Sequence, residues 1–214
     1  SLCFCLTMAS AVNLDSLWGV WNDSTQSDTI RLKAMTKTAN RIIFSNTDSA
    51  FYLTRFVYEL AESVDNKKWM AKALNILGIA STLKGNYVQA LEYYNKSIMI
   101  KQETGDEKGV AASYNNMGAI YQGQGNHERA LECYEKSLTI HEKIDNKKGM
   151  AHTLGNIGRI SGEQGNYELA LAYLEKSLKN FRESDDKRGV GVSYNNIGNV
   201  YKKLRNYEQA LSYY

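Results

Sequence analysis

The sequence predicts an all-α protein in which a pair of helices is repeated along the chain. Two motifs recur at intervals of 40 residues, a glycine at positions 78, 118, 158 and 198 and an Ala-Leu pair at positions 90–91, 130–131, 170–171 and 210–211. A fixed period of this size is the signature of a repeat architecture. None of the 214 residues is proline, so no helix loses a backbone donor to that residue. These observations predict a solenoid of stacked antiparallel helix pairs without β-structure.

The first helix of each pair is predicted from apolar residues at helical spacing. Tyr114, Met117, Gly118 and Tyr121 share one helical face, because residues three or four positions apart lie above one another on a helix. The glycine leaves room for a large residue of the second helix, whereas a methyl group there would push the two helices apart. We therefore expect this glycine to mark the contact inside each pair.

The second helix is predicted to begin after a Gly-Asn dipeptide, which occurs at 85–86, 125–126 and 165–166. Glycine commonly ends a helix in the left-handed conformation, and asparagine commonly caps the next helix. A glutamate follows at positions 128, 168 and 208, where the helix dipole favours a carboxylate. The helix then buries residues such as Ala90, Leu91, Tyr94 and Ile98. A linker containing Asp or Asn leads into the next pair.

This pattern resembles the tetratricopeptide repeat family, whose repeats carry W-x-x-L-G-x-x-Y followed by A-x-x-x-F. The corresponding residues here are Tyr114, Met117, Gly118, Tyr121, Ala130 and Tyr134. The resemblance implies a right-handed α-solenoid whose first helices line a concave groove. The period is 40 rather than 34 residues, and the family's closing proline is absent. Both departures suggest longer helices, as in the subclass found in kinesin light chains, G-protein-signalling modulators and bacterial regulators.

The repeat register divides the chain into units. Complete repeats are expected at 67–106, 107–146 and 147–186, a degenerate first repeat at 28–66, and a repeat truncated in its second helix at 187–214. Terminal repeats are expected to be atypical because one side faces solvent. Residues 12–27 hold two of the three tryptophans. We expect them to form a lead-in that packs as a cap on the first repeat.

The opening segment 1–11, SLCFCLTMASA, is short and apolar and ends in an A-x-A pattern. It is interpreted as the remnant of a signal peptide; the alternative is a packed or frayed N-terminal segment. A signal remnant would place the protein in the periplasm or another extracytoplasmic space, and otherwise a cytoplasmic location is expected. No stretch approaches the roughly 18 apolar residues of a membrane span. Membrane contact is therefore expected only through a segment beyond residue 214.

Asparagines at repeat positions on the first helices are the main candidates for binding. One column is Asn75, Asn115 and Asn195, and the next is Asn116, Asn156 and Asn196. Asparagine is a mediocre helix former, so helix formation does not explain these columns. The resemblance implies that the concave groove holds an extended peptide, and an amide can both donate to and accept from a peptide backbone. The alternative is that the asparagines bond the neighbouring repeat or face water.

Spacing adds further groove candidates, Lys72, Arg159, Asn199 and Lys202. The cations could attract an acidic ligand, although each taken singly could be a solvated surface residue. The carboxylate clamp of chaperone-type relatives places a lysine where Asn75, Asn115, Gly155 and Asn195 stand. Recognition of a free C-terminus is therefore not expected.

Catalytic, metal and cofactor sites are not expected. The three histidines share no repeat position, and no Cys/His cluster has the spacing of a metal site. A net charge of +3 spread over the chain gives no argument for nucleic acid. The sequence predicts a non-catalytic scaffold that binds a protein or peptide. Its resemblance to extracytoplasmic arrays of bacterial histidine kinases and nucleotide cyclases implies the sensory part of a larger signalling protein. The alternatives are a cytoplasmic adaptor of the G-protein-modulator type and an RNA-binding helical repeat. The ligand and the oligomeric state stay open.

Overall fold

The computed structural model describes residues 14–214, so the interpretation of segment 1–11 lies outside the described residues. Within this range all regular structure is α-helical and there is no β-strand. The helices are α1 (Leu14–Asn22), α2 (Asp28–Ile42), α3 (Thr47–Ser63), α4 (Lys67–Leu83), α5 (Tyr87–Glu103), α6 (Glu107–Gly123), α7 (His127–Lys143), α8 (Lys147–Glu163), α9 (Tyr167–Glu183), α10 (Lys187–Lys203) and α11 (Tyr207–Tyr213). The predicted all-α class is confirmed.

Each helix packs against the next one in the chain. We call α2, α4, α6, α8 and α10 the A helices, and α3, α5, α7, α9 and α11 the B helices. Successive A helices also contact one another, whereas successive B helices do not, as far as the structure describes the chain. The A helices are therefore closer together and line the inner, concave side of a solenoid. The B helices form its outer side.

The turn between an A helix and its B helix uses the predicted glycine. Gly85 and Gly125 have φ of +77° and +75°, a conformation that costs glycine nothing and other residues about 1 kcal/mol or more. The next residue precedes the B helix and can cap it, as at Asn126, whose side chain accepts a hydrogen bond of 3.1 Å from the backbone N–H of Arg129. Asn86 and Asn166 occupy the same position without a side-chain capping bond. The predicted glycine turn is therefore confirmed, whereas the predicted asparagine cap is confirmed at Asn126 but not at these two positions.

The contact inside each helix pair forms at the recurring glycine. A Cβ atom added at Gly118 would lie 2.6 Å from Cε1 of Tyr134, and one added at Gly78 would lie 2.7 Å from Cε1 of Tyr94. Both distances are shorter than van der Waals contact. The prediction that this glycine admits a large residue of the second helix is confirmed.

The contact between successive pairs forms near the end of each B helix. One residue there packs on the first turn of the following A helix. The facing residues are Ala61 and Trp69, Lys101 and Gly109, His141 and Gly149, and Phe181 and Gly189. At the first interface the small residue is on the B helix and the large one on the A helix; at the other three this is reversed. Each interface thus combines a small residue with a large one, while the chemistry of the large one changes.

The segment before the first pair is partly packed. Trp21 of α1 packs against a buried cluster that includes Leu32, Met35 and Val57, and the guanidinium of Arg31 lies 5.3 Å from the Trp21 ring centroid. Trp18, in contrast, is 47% exposed. One of the two tryptophans of the lead-in therefore contributes to the core. No helix within residues 14–214 combines the length and the apolar character needed to cross a membrane.

Candidate functional site

The inner surface carries the predicted asparagines, and several of them form hydrogen bonds within the protein. Asn115 of α6 and Asn156 of α8 are half-buried. Nδ2 of Asn156 donates a hydrogen bond of 3.1 Å to Oδ1 of Asn115, and the hydroxyl of Thr153 approaches the same oxygen at 3.5 Å. These two asparagines therefore join adjacent repeats, which is the alternative that the sequence left open.

Two further asparagines differ in their contacts: Asn116 has a partner in the preceding helix pair, whereas the side-chain oxygen of Asn75 has none among the described residues. Asn116 hydrogen-bonds the hydroxyl of Tyr94, a residue of the preceding helix pair. Burial raises the pKa of Tyr94 to about 12, against the opposing effect of hydrogen bonds with Thr82 and Asn116. Asn75 has a buried Oδ1 that accepts no hydrogen bond from any described residue. An unsatisfied buried acceptor is uncommon in folded proteins.

The remaining candidates gather at the C-terminal end of the inner surface. Here α8 and α10 border a cavity of about 530 Å³, which is within the ~300–1,000 Å³ typical of ligand sites. Four predicted residues line it, Arg159, Asn196, Asn199 and Lys202. Residues that sequence reasoning did not select also line it, Gly162, Glu163, Leu174, Val200 and Lys203.

A polar network in the preceding helix pair holds two residues that line this cavity, Arg159 and Glu163. The buried side chain of Gln122 accepts hydrogen bonds from the Tyr134 hydroxyl at 3.1 Å and from Nη2 of Arg159 at 2.7 Å. Its own Nε2 donates to both carboxylate oxygens of Glu163, at 3.1 and 3.0 Å. Burial raises the pKa of Tyr134 to about 12, with Arg159 acting in the opposite direction. The network fixes Arg159 and Glu163 at the mouth of the cavity.

Other candidates lie outside or at the edge of this cluster. Asn195 is exposed, and Oδ1 of Asn199 accepts a hydrogen bond of 2.8 Å from the Tyr214 hydroxyl. Lys72 is far along the solenoid, with its Nζ 4.4 Å from the Trp69 ring centroid. The structure thus brings together Arg159, Asn196, Asn199 and Lys202 but not the whole asparagine column.

Two of the residues missed by sequence reasoning carry a signal that was available in the sequence. Gly162 and Leu174 depart from what the other repeats carry at the same positions. A binding residue is usually sought among residues that recur, whereas here the departures from the repeat line the cavity. Among residues 14–214, no group of three or more His, Cys, Asp and Glu side chains is placed to hold a metal ion.

Comparisons with known proteins agree with this architecture. A tetratricopeptide repeat family model matches the chain in three overlapping segments, residues 69–143, 109–183 and 149–214. Together these segments span more than half of the chain. No curated protein sequence matches it.

Solved structures extend the likeness to nearly the whole chain. BtubC (BKLC) from P. vanneervenii superposes with a TM-score of 0.75 at 18% identity, over 94% of this chain and 83% of that one. A signal transduction ATPase with a tetratricopeptide repeat sensor, from Pyrococcus horikoshii, gives 0.76 at 17% identity, over 92% of this chain and 31% of that one. NprR in complex with its cognate peptide NprX gives 0.71 at 19% identity, over 94% and 58%. At these identities the likeness is one of fold alone.

Proposed function

The chain belongs to the tetratricopeptide repeat family, and from this premise we propose that it is a non-catalytic scaffold whose inner surface binds an extended peptide of a partner protein. The observation that carries the proposal is the set of amide side chains on the A helices, where these helices approach one another. An amide can pair with both the N–H and the C=O of a peptide unit. Such contacts hold a backbone whatever side chains it carries.

The contacts of the asparagines divide this surface into two parts. Three of them, Asn115, Asn116 and Asn156, hydrogen-bond residues of neighbouring repeats. Their amides therefore stabilise the stacking of the repeats. Asn195 is exposed, and Asn196 and Asn199 line the cavity between α8 and α10. We therefore assign ligand binding to the C-terminal part of the inner surface. The solved complex of NprR with a peptide supports peptide binding as the function, because its fold is similar.

The proposal is tested by selecting ligands from a library of random ten-residue peptides displayed on phage, with the 214-residue chain as bait. Asn196→Ala should weaken binding of the selected peptides about 2- to 10-fold, since a net hydrogen bond is worth about 0.5–1.5 kcal/mol. Its melting temperature should not fall, because alanine is the better helix former.

Asn156→Ala is the matched control on the neighbouring repeat. It removes the donor to Asn115 and should lower the free energy of unfolding by about 1–3 kcal/mol, the cost of an unsatisfied buried group. If no peptide is selected, or if Asn196→Ala lowers the melting temperature and leaves affinity unchanged, the proposed function is wrong.

We further propose that this array is the sensory part of a larger signalling protein. The Pyrococcus protein of similar fold is described as a signalling ATPase with a repeat sensor, and the proposed signal remnant at 1–11 favours an extracytoplasmic position. Sequencing the gene beyond the codon for Tyr214 tests the proposal. A membrane span followed by an effector domain would support it, whereas further repeats and a stop codon would favour the cytoplasmic adaptor.

A further inference from the structure

The repeat pattern is broken twice at one place. Gly162 occupies a position that the other repeats fill with Thr82, Gln122 and Lys202. Leu174 occupies a position that the other repeats fill with Tyr94, Tyr134 and Tyr214. Both departures replace a larger residue by a smaller one, and both residues line the cavity between α8 and α10. The two small residues therefore leave space at this point that the preceding helix pair fills with Gln122 and Tyr134.

The preceding helix pair shows what normally fills this space. There the Tyr134 hydroxyl bonds to Gln122, and the two side chains close the gap between the helices. Gly162 has no side chain to offer. A Cβ added to it would make only ordinary contacts, 3.6 Å to Ala170 Cβ and 3.7 Å to Val200 Cγ2. The backbone at residue 162 therefore tolerates a side chain, and the space in front of it is open.

The same departure changes the role of Asn196. Asn116, which occupies the same repeat position two periods earlier, hydrogen-bonds the hydroxyl of Tyr94. Leu174 stands where that tyrosine would be and has no hydroxyl. The amide of Asn196 is thus left to face the cavity, which it lines.

The rim of the cavity has a surplus of hydrogen-bond donors and of positive charge. Arg159, Lys202 and Lys203 are cationic, and within the described part of the chain Nζ of Lys203 donates a single hydrogen bond, 3.1 Å to the Gly162 carbonyl. The Asn199 carbonyl oxygen already accepts a bond from a tyrosine hydroxyl, so its Nδ2 remains as a donor. The one carboxylate on the rim, Glu163, accepts from Gln122. A rim rich in cations and hydrogen-bond donors favours binding of an anionic group.

We propose that this cavity binds the carboxylate side chain of an acidic residue, glutamate in preference to aspartate, within the bound peptide. Leu174 and Val200, which are 1% and 5% exposed, line the inner end of the cavity and form the apolar surface that the methylene groups of a glutamate reach. Its carboxylate then reaches the donors of the rim, and such charge-assisted bonds are roughly twice as strong as neutral ones. This inference rests on the proposed function, because the amides must first hold the peptide backbone.

The test uses peptides selected with the 214-residue chain, each synthesised with its glutamate and with glutamine in its place. The glutamine peptide should bind about tenfold more weakly, because a hydrogen bond to a charged group is worth about 1.5–3 kcal/mol. The double variant Gly162→Gln with Leu174→Tyr restores the pattern of the other repeats and fills the cavity. It should weaken both peptides and abolish the difference in affinity between them, because the filled cavity no longer admits either side chain.

A second pair of variants does not depend on repacking. Lys202→Gln with Lys203→Gln should weaken the glutamate peptide several-fold, whereas Lys176→Gln with Lys179→Gln makes the same charge change on the outer helix α9 and should have no effect. If the chain binds peptides without distinguishing glutamate from glutamine, or if the two lysine pairs act alike, the inference is overturned and the proposed function stands. If no peptide binds, both are overturned.

Discussion

Two interfaces between repeats occupy the same place in the solenoid but differ in chemistry. Phe181 packs on Gly189 between α9 and α10, and Lys101 packs on Gly109 between α5 and α6. Their side chains are 2% and 5% exposed, respectively. The solenoid therefore fixes where a side chain is buried and how much space it has. It does not fix whether that side chain is apolar or charged.

The two residues satisfy burial in different ways. Phe181 is an apolar ring with an edge-to-face contact to His152, at 4.8 Å between ring centroids. Lys101 donates hydrogen bonds to the Gly109 carbonyl at 3.1 Å and to the Ser113 hydroxyl at 2.8 Å. Burial lowers the pKa of Lys101 to about 8, against the opposing effect of Asp106. At neutral pH this interface therefore contains a largely desolvated ammonium group, whose burial costs stability.

The largest effect is expected where the interface is apolar. Phe181→Ala removes a fully packed ring and should lower the free energy of unfolding by about 3–5 kcal/mol. Urea denaturation followed by circular dichroism measures this change. Phe181→Leu is the control and should cost much less, because it keeps most of the apolar volume. A loss below about 1 kcal/mol for the alanine variant would show that the ring is not essential to this interface.

The facing glycine should be the next most sensitive position. A Cβ at residue 189 would overlap the ring of Phe181, so Gly189→Ala should cost about 1–3 kcal/mol through overpacking. In the double variant with Phe181→Ala the overlap disappears, and the two losses should not add. Strict additivity in the same denaturation experiment would contradict the proposed contact.

The charged interface should respond in the opposite direction. Lys101→Met keeps the length of the side chain and removes the buried charge, so it should raise the free energy of unfolding at pH 7 by about 1–2 kcal/mol. Lys96→Met, on the exposed side of the same helix, should stay within about 0.5 kcal/mol of the parent. A destabilised Lys101→Met variant would mean that the two hydrogen bonds outweigh the cost of burying the ammonium.

The same lysine should make stability depend on alkaline pH. Its pKa is about 8 in the folded chain and about 10.4 when unfolded, so between these values the unfolded chain binds more protons. Stability from this group must then rise with pH. The advantage of Lys101→Met over the parent should shrink by on the order of 1 kcal/mol between pH 8 and about pH 9.5. A constant difference across this window would contradict the buried-ammonium interpretation.

The smallest effect is expected at the interface between these two, where His141 packs on Gly149. Burial, Lys108 and His152 lower the pKa of His141, and its Nδ1 lies 3.1 Å from Nδ2 of Asn146. Below pH 6.5 the unfolded chain binds the extra proton, so the contribution of His141 to stability is lost as the pH falls. His141→Phe, which copies Phe181, should remove a loss of about 1 kcal/mol or less between pH 7 and 5. If His141→Phe and the parent lose the same free energy of unfolding between pH 7 and 5, His141 is not the cause of that loss.

Much of the fold could be predicted from the sequence because its signals are local. The Gly-Asn turns, the helical spacing of residues such as Tyr114 and Met117, and the glycine at position 118 act within one helix or across one tight turn. The same signals recur in each repeat at the same interval. A repeated local signal predicts its own structure, and the structure confirms it for the turn and for the contact between Gly118 and Tyr134.

The candidate site could be predicted only in part. The asparagine columns were visible in the sequence, but their partners lie roughly forty residues away, as Asn156 does from Asn115. Whether an amide faces a ligand or a neighbouring repeat depends on what the adjacent helix places opposite it. Asn116 meets a tyrosine hydroxyl, whereas Asn196 meets an open cavity.

The repeat, its helix pairs and the turns between them follow from the residues alone, because backbone hydrogen bonds and side-chain spacing inside one unit specify these features. The burial of Lys101 follows only from the stacking of the repeats, since lysine is almost always exposed and its residue type gives no hint of burial. The same holds for the cavity that Gly162 and Leu174 open together. Burial and empty space are properties of the stacked array, and they arise only when neighbouring repeats bring distant residues into contact.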